Sequence, residues 1–352
     1  MLEVGIVGLP NVGKSTLFST LTKKQVDCAN FPFCTIEPNV GVVEVPDERL
    51  QKLAEVSKSE KIIPTAIKFV DIAGLVAGAH KGEGLGNKFL ANIREVDMIV
   101  HVVRAFVDSN VTHVAGEVDP VRDCEIIELE LVMADAEVLT KHLERMRLKL
   151  KSGKTKDLEK ELGALERIAK ALDQGQPART VELDEEECVF VKQAQLLTMK
   201  PVLYVLNVGE GESVPASLKD HEALPISVKL ESEIMQMAPE DQKTFLKELG
   251  VEQSGLDRLI LKAYELLGLI TYFTSGEKET RAWTVAGGTA APQAAGVIHT
   301  DFEKGFIRAE VIDWKDFVEL GEGGAREAGK LRVEGKEYVM RDGDVCHFRV
   351  ST

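Results

Sequence analysis

The sequence predicts an α/β fold with a parallel sheet, a helical hairpin inserted into it, and a compact α+β stretch after it. Three observations carry this. Apolar runs alternate with helical segments from Met1 to about Arg122, strict 3/4 apolar spacing follows, and a strand-like run returns at Pro201 to Leu206. At 352 residues the chain has room for two to three domains.

The first apolar run, Val4 to Val7, leads into Gly8-Leu-Pro-Asn-Val-Gly-Lys-Ser15, a full G-x-x-x-x-G-K-[ST] phosphate loop with a helix-like stretch after it. Gly8 and Gly13 let the backbone turn tightly and aim its N–H groups at phosphate, and the helix N-terminus adds partial positive charge. Asn11, Val12, Gly13, Lys14, Ser15 and Thr16 form the nucleotide-binding run. Lys14 is expected to reach the β and γ phosphates and Ser15 a Mg²⁺ ion.

The run Ala66 to Val70 delivers Asp71-Ile-Ala-Gly74 at a strand end, where Asp71 holds Mg²⁺ through water and the Gly74 N–H meets a γ phosphate. Between the two motifs lies Asn30-Phe-Pro-Phe-Cys-Thr-Ile-Glu-Pro-Asn39. Its Thr35 either closes on Mg²⁺ as a first switch or is an ordinary strand-edge threonine, and the surrounding motifs favour the switch. Cys34 beside it is a redox-sensitive thiol or a small buried hydrophobe. Gly74, Gly78, Gly82, Gly84 and Gly86 give the following segment little intrinsic order, as a second switch requires.

After the strand 98–103, Leu129, Val132, Ala136, Leu139, Leu143, Met146 and Leu150 repeat at helical spacing. Leu158, Leu162, Leu165, Ala169 and Leu172 resume the repeat after a polar break. Two such helices must fold back on each other to bury their seams, which predicts an antiparallel coiled-coil hairpin stopped by Gly175 and Pro177. A helical stretch from Glu240 to Leu267 ends at Gly268. Beyond it, Trp283 to Ala286 and Phe306 to Ile312 read as strands, with a closing hairpin around Asp342-Gly343.

Asn207-Val208-Gly209-Glu210 follows the strand 201–206, where guanine-specific GTPases carry Asn-Lys-x-Asp. The Asp of that motif accepts both the guanine ring N–H and the exocyclic amine. Glu210 is one methylene longer and Val208 has no charge, so Asn207 keeps the purine edge while the guanine fork is lost.

Together these motifs resemble the YchF, or Obg-like ATPase, family along essentially the whole chain. The resemblance implies an ATPase that prefers ATP to GTP, binds ribosomes, and ends in a ubiquitin-like β-grasp (TGS) domain. It implies a P-loop NTPase domain over 1–124 and 196–270, the helical insertion over 125–195 and the TGS domain over 271–352. Asn11 looks like the residue that ligates K⁺ in cation-dependent relatives. Leu75 stands where other GTPases place a water-orienting Gln. That leaves His113 and His80 as titratable candidates, with Lys14, Thr35, Gly74 and His113 forming the catalytic set.

Composition limits the alternatives. The net charge of −15 argues against nucleic-acid binding by the whole surface. Yet seven Lys or Arg against Glu144 alone between Lys141 and Lys156 give a local +6, a candidate RNA footprint at the hairpin tip or else a solvated helix face. Five scattered Cys suit a reducing compartment, and no apolar stretch is long enough for a membrane span. A cytoplasmic monomer without membrane contact is expected. An Obg-related GTPase and an RNA-binding scaffold with a regulatory nucleotide site remain the rivals.

Overall fold

A computed structural model describes residues 2–24, 37–73, 85–108, 111, 118–153, 155–210 and 223–351. The chain forms two compact units. The described parts of 2–23, 37–41 and 68–256 make the first, and those of 24, 42–67 and 257–351 make the second.

The first unit carries most of a sheet built on β1 (Glu3–Val7), β2 (Val40–Glu44), β4 (Ala66–Asp71), β5 (Met98–Arg104), β6 (Val202–Asn207) and β7 (Leu224–Ile226), with β3 (Lys61–Ile63) belonging elsewhere. The sheet order is β2-β4-β1-β5-β6-β7, and β4, β1, β5, β6 and β7 pair in parallel. Every residue of β5 is buried, as expected for a central strand covered on both faces. Helix α1 (Lys14–Leu21) follows β1, α2 (Glu48–Ser57) follows β2, and α3 (Leu85–Glu95) precedes β5.

The helical hairpin is α4 (Pro120–Ser152) and α5 (Lys156–Asp173). Asp119 caps α4 by accepting the Arg122 N–H, Pro120 occupies its first turn, and Thr155 caps α5 by accepting the Leu158 N–H. At 33 residues α4 is about 50 Å long. Val132, Leu139, Leu143 and Met146 pack against Ala164, Leu165, Ile168 and Leu172. Leu129 falls outside this seam and is exposed. Buried Asp135 ties α4 to the following chain by accepting the Leu197 and Thr198 N–H groups at 2.8 and 2.7 Å. After α6 (Glu185–Lys192) and β6 come α7 (Val228–Ile234), α8 (Pro239–Glu248) and α9 (Gly255–Leu266).

The second unit contains β8 (Leu269–Ser275), β9 (Glu279–Ala286), α10 (Ala291–Ile298), α11 (Thr300–Lys304), β10 (Phe306–Asp313), α12 (Trp314–Glu327), β11 (Arg332–Glu334) and β12 (Asp344–Val350). Its sheet runs β11-β10-β12-β8-β9-β3. The sixth strand comes from far upstream, with β3 pairing in parallel with β9 through Lys61↔Glu279 and Ile63↔Arg281. On one face Leu50 and Leu53 of α2 share a core with Phe273, Ile312, Phe317 and Val345. Arg49 fixes that helix by pairing with Asp47 at 2.7 Å and Asp342 at 2.6 Å.

The expected hairpin at Asp342-Gly343 is not one. Strands β11 and β12 lie on opposite sides of β10, both antiparallel to it. The turn instead starts β12 next to β8, with the Gly343 N–H donating to the Thr271 carbonyl at 2.8 Å and Asp342 Oδ1 accepting the Thr271 N–H at 2.9 Å.

Candidate nucleotide site

The phosphate loop leaves β1 where the backbone crosses β5. A Cβ on Gly8 would stand 2.7 Å from the Val102 carbonyl oxygen, so no larger residue fits. Gly13 has φ +95° and opens α1, where its carbonyl accepts the Leu17 N–H at 2.9 Å. Val12 is buried beneath the loop, whereas Asn11, Ser15 and Thr16 are exposed, so the polar members of the run face outward.

Lys14 and Asp71 form an ion pair between side chains 10% and 19% exposed. The contact follows from strand order: β1 and β4 are parallel neighbours with Ile6 opposite Asp71, so the loop after β1 opens beside the end of β4. Two residues with hard oxygen donors, Asp71 at the end of β4 and Ser15, next in sequence to Lys14, are therefore carried to the same end of the sheet. That donor set suits Mg²⁺, which takes one or two protein ligands and completes its shell from phosphate and water. No group of three His, Cys, Asp or Glu gathers among the described residues.

Next to the loop is a cavity of about 700 Å³. The phosphate loop contributes Asn11, Gly13 and Thr16 to its lining, the chain after β6 Asn207, Val208, Gly209 and Glu210, the chain after β5 Phe106, Asp108 and Val111, and the start of α7 Ser227 and Lys229. Buried Asn207 donates through Nδ2 to the Val12 carbonyl at 2.9 Å and accepts the Val228 N–H at Oδ1 at 3.2 Å. These partners fix its amide orientation, because the carbonyl needs a donor and the N–H an acceptor. One amide proton and one lone pair remain for a ligand. Asn207 thus first joins the phosphate loop to α7, a role its sequence pattern did not reveal.

Val208 packs with Val103, Cys124 and Leu206 and brings no polar group to the cavity. Glu210 pairs with Lys229 at 3.4 Å at the exposed rim. Thr35, Gly74 and His113, together with His80, Leu75 and Cys34, lie outside the described residues.

The hairpin tip is less one-sided than its sequence window suggests. The window Lys141 to Lys156 stops just before the acidic start of α5. From Lys141 to Glu166 there are eight Lys or Arg against five Asp or Glu, a net +3. Across the two helices Arg147 pairs with Glu166 at 2.8 Å. Lys154 lies outside the described residues.

A phosphate loop after the first strand, an acidic residue at the end of the neighbouring parallel strand, and a cavity beside them define a nucleotide hydrolase of the P-loop GTPase type. Comparison agrees. Residues 3–141 match the family described as 50S ribosome-binding GTPase, and residues 269–351 match the YchF-GTPase C-terminal family, described as a protein of unknown function. The chain belongs to the YchF family. It is 54% identical to the ribosome-binding ATPase YchF of Bacillus subtilis, covering 99% of both chains, and 50% identical to that of Escherichia coli O157:H7, covering 98% of both. The solved structure of the Schizosaccharomyces pombe YchF GTPase superposes with a TM-score of 0.88 at 41% identity, covering 99% of this chain and 97% of that one.

Proposed function

We propose that the protein is an ATP-driven molecular switch that acts on the ribosome, taking ATP in preference to GTP. The observation that supports this best is the cavity beside the phosphate loop. Where a guanine-specific site places an Asp, it presents Glu210, already paired with Lys229, and it has an apolar Val208 where such a site has Lys. Losing a paired acceptor for two guanine donors is costly, whereas adenine has no such pair to satisfy. The YchF relatives named as ribosome-binding ATPases support both nucleotide and partner.

On this reading Asn11, Val12, Gly13, Lys14, Ser15 and Thr16 hold the phosphates, and Asn207, Val208 and Glu210 border the base. Ser15, Thr35 and Asp71 hold Mg²⁺, which when bound offsets phosphate charge. Lys14 leaves Asp71 to reach the β and γ oxygens. Thr35 and Gly74 close on the γ phosphate, His113 orients water, and K⁺ at Asn11 adds charge beside the phosphates. The α4–α5 pair acts as a coiled-coil insertion and the C-terminal sheet as a β-grasp TGS domain. The protein works as a cytoplasmic monomer away from membranes.

An Obg-related GTPase is the second reading, favoured by the family description of residues 3–141. Competing ATP against GTP in a fluorescence titration decides between them, and ribosome co-sedimentation with each nucleotide tests the partner. Tenfold tighter GTP binding, about 1.4 kcal/mol, reverses the nucleotide assignment.

A further inference from the structure

Arg104 ends β5 and, at 1% exposure, is the largest completely hidden side chain among the described residues. Removing a guanidinium from water is expensive unless its donors are met. Each of its three nitrogens finds an acceptor in the chain just downstream. Nε donates to the Phe106 carbonyl at 3.2 Å, Nη2 to that of Asp108 at 3.2 Å and Nη1 to that of Val111 at 3.0 Å. The Phe106 ring also covers the cation, 4.4 Å from its centroid.

Phe106, Asp108 and Val111, the residues whose carbonyls Arg104 holds, all line the cavity beside the phosphate loop. Among the described residues of this stretch, the Ala105 N–H donates to the Asn207 carbonyl at 2.9 Å and the Val111 N–H to that of Asp108 at 3.2 Å. A planar fork with fixed donor directions therefore sets where this wall stands. Arg104 is also the register partner of Asn207. At the ends of two adjacent strands, one side chain shapes the wall after β5 and the other joins the phosphate loop to α7.

We propose that Arg104 is a positioning residue for the nucleobase. It acts as a buried template around which the wall of the base pocket is wrapped, and it does not touch the nucleotide itself. This rests on reading the cavity as the nucleobase pocket. Arg104 then governs the part of the affinity that the base adds, and leaves the part that comes from the phosphates unchanged.

The test measures dissociation constants of full-length protein for ATP and for inorganic tripolyphosphate, both with Mg²⁺, for the parent and Arg104→Lys. Lysine keeps the charge and most of the stem but loses the fork. In the parent, ATP is expected to bind at least a hundredfold tighter than tripolyphosphate. In Arg104→Lys that ratio is expected to fall at least tenfold while tripolyphosphate binding stays within twofold, a selective change that general loosening would not produce. If circular dichroism shows that this variant does not fold, Phe106→Leu reads the same effect, with the ratio falling at least threefold. A parent ratio preserved in the folded variant overturns the role of Arg104 and leaves the pocket assignment standing. A parent that binds ATP no better than tripolyphosphate overturns the pocket assignment, and the proposal with it.

Discussion

Gly13 and Asn207 compete for one space: a Cβ on Gly13 would stand 2.3 Å from Asn207 Nδ2. Gly13→Ala meets this clash and a φ of +95° at once. It is expected to cost roughly 1–3 kcal/mol of stability and to weaken ATP binding about tenfold or more. Adding Asn207→Ala removes the clash but not the backbone strain, so the double variant should recover part of the lost stability. Thermal denaturation of the four proteins in the cycle measures that coupling. Strict additivity would show that the two residues do not share the space.

Lys14→Ala is expected to reduce turnover by roughly a hundredfold or more, the scale for losing one charge-stabilising donor at a reacting centre. Its far-UV circular dichroism should match the parent, because the Lys14–Asp71 pair lies where β4 ends and α1 begins, outside the apolar core. A folded variant with parental phosphate release would remove Lys14 from the site.

Stability should fall in mild acid because of His101. This residue is buried in β5 with its ring 5.5 Å from that of Tyr204, and burial pushes its pKa down to about 3 from 6.5. Below about pH 6.5 the unfolded chain takes up a proton that the folded chain refuses, so stability complete above that pH is lost as the pH drops toward 3. At pH 5 the loss from this group is about 2 kcal/mol. Denaturant midpoints at pH 7 and 5 should draw closer together in a folded His101→Phe variant, and an unchanged gap would assign the acid sensitivity elsewhere.

The hairpin tip is expected to contribute to ribosome binding through Lys151, Lys154 and Lys156. Each phosphate contact removed lowers the salt slope of binding by about 0.7–0.9. Changing all three to Ala should flatten the slope by roughly two, with ATP hydrolysis in the absence of ribosomes unaffected. Co-sedimentation across a KCl series measures this, and a parental slope would make the tip a solvated surface.

What the sequence revealed was whatever depends on near neighbours. Residues Gly8 to Ser15 identify themselves because phosphate geometry needs those types at that spacing, and the α4–α5 seam does so through helix period. Partnerships across long stretches of chain stayed hidden. Nothing local shows that β3 pairs with β9, or that Asp342-Gly343 leads β12 to β8 and not to β11. The Asn207 contact with Val12 spans 195 positions. Arg104 carried a faint signal, a cation ending an otherwise apolar strand, but its partners are carbonyls, which look alike in every sequence.

The placement of β3 and α2 in the second unit has a consequence for synthesis. Leu50 and Leu53 emerge long before Phe273, Ile312 and Val345, the core residues they meet. At 5–20 residues per second the ribosome needs roughly 10–45 seconds to make the intervening chain. Through that interval the apolar face of α2 has no native neighbour from this core, so a growing chain carries an unfinished surface that a holdase chaperone would shield. No single cut in the gene releases the second unit whole. A fragment of residues 269–352 lacks one edge strand and two core leucines, and is expected to be largely unfolded by circular dichroism until a peptide spanning residues 42–67 is added.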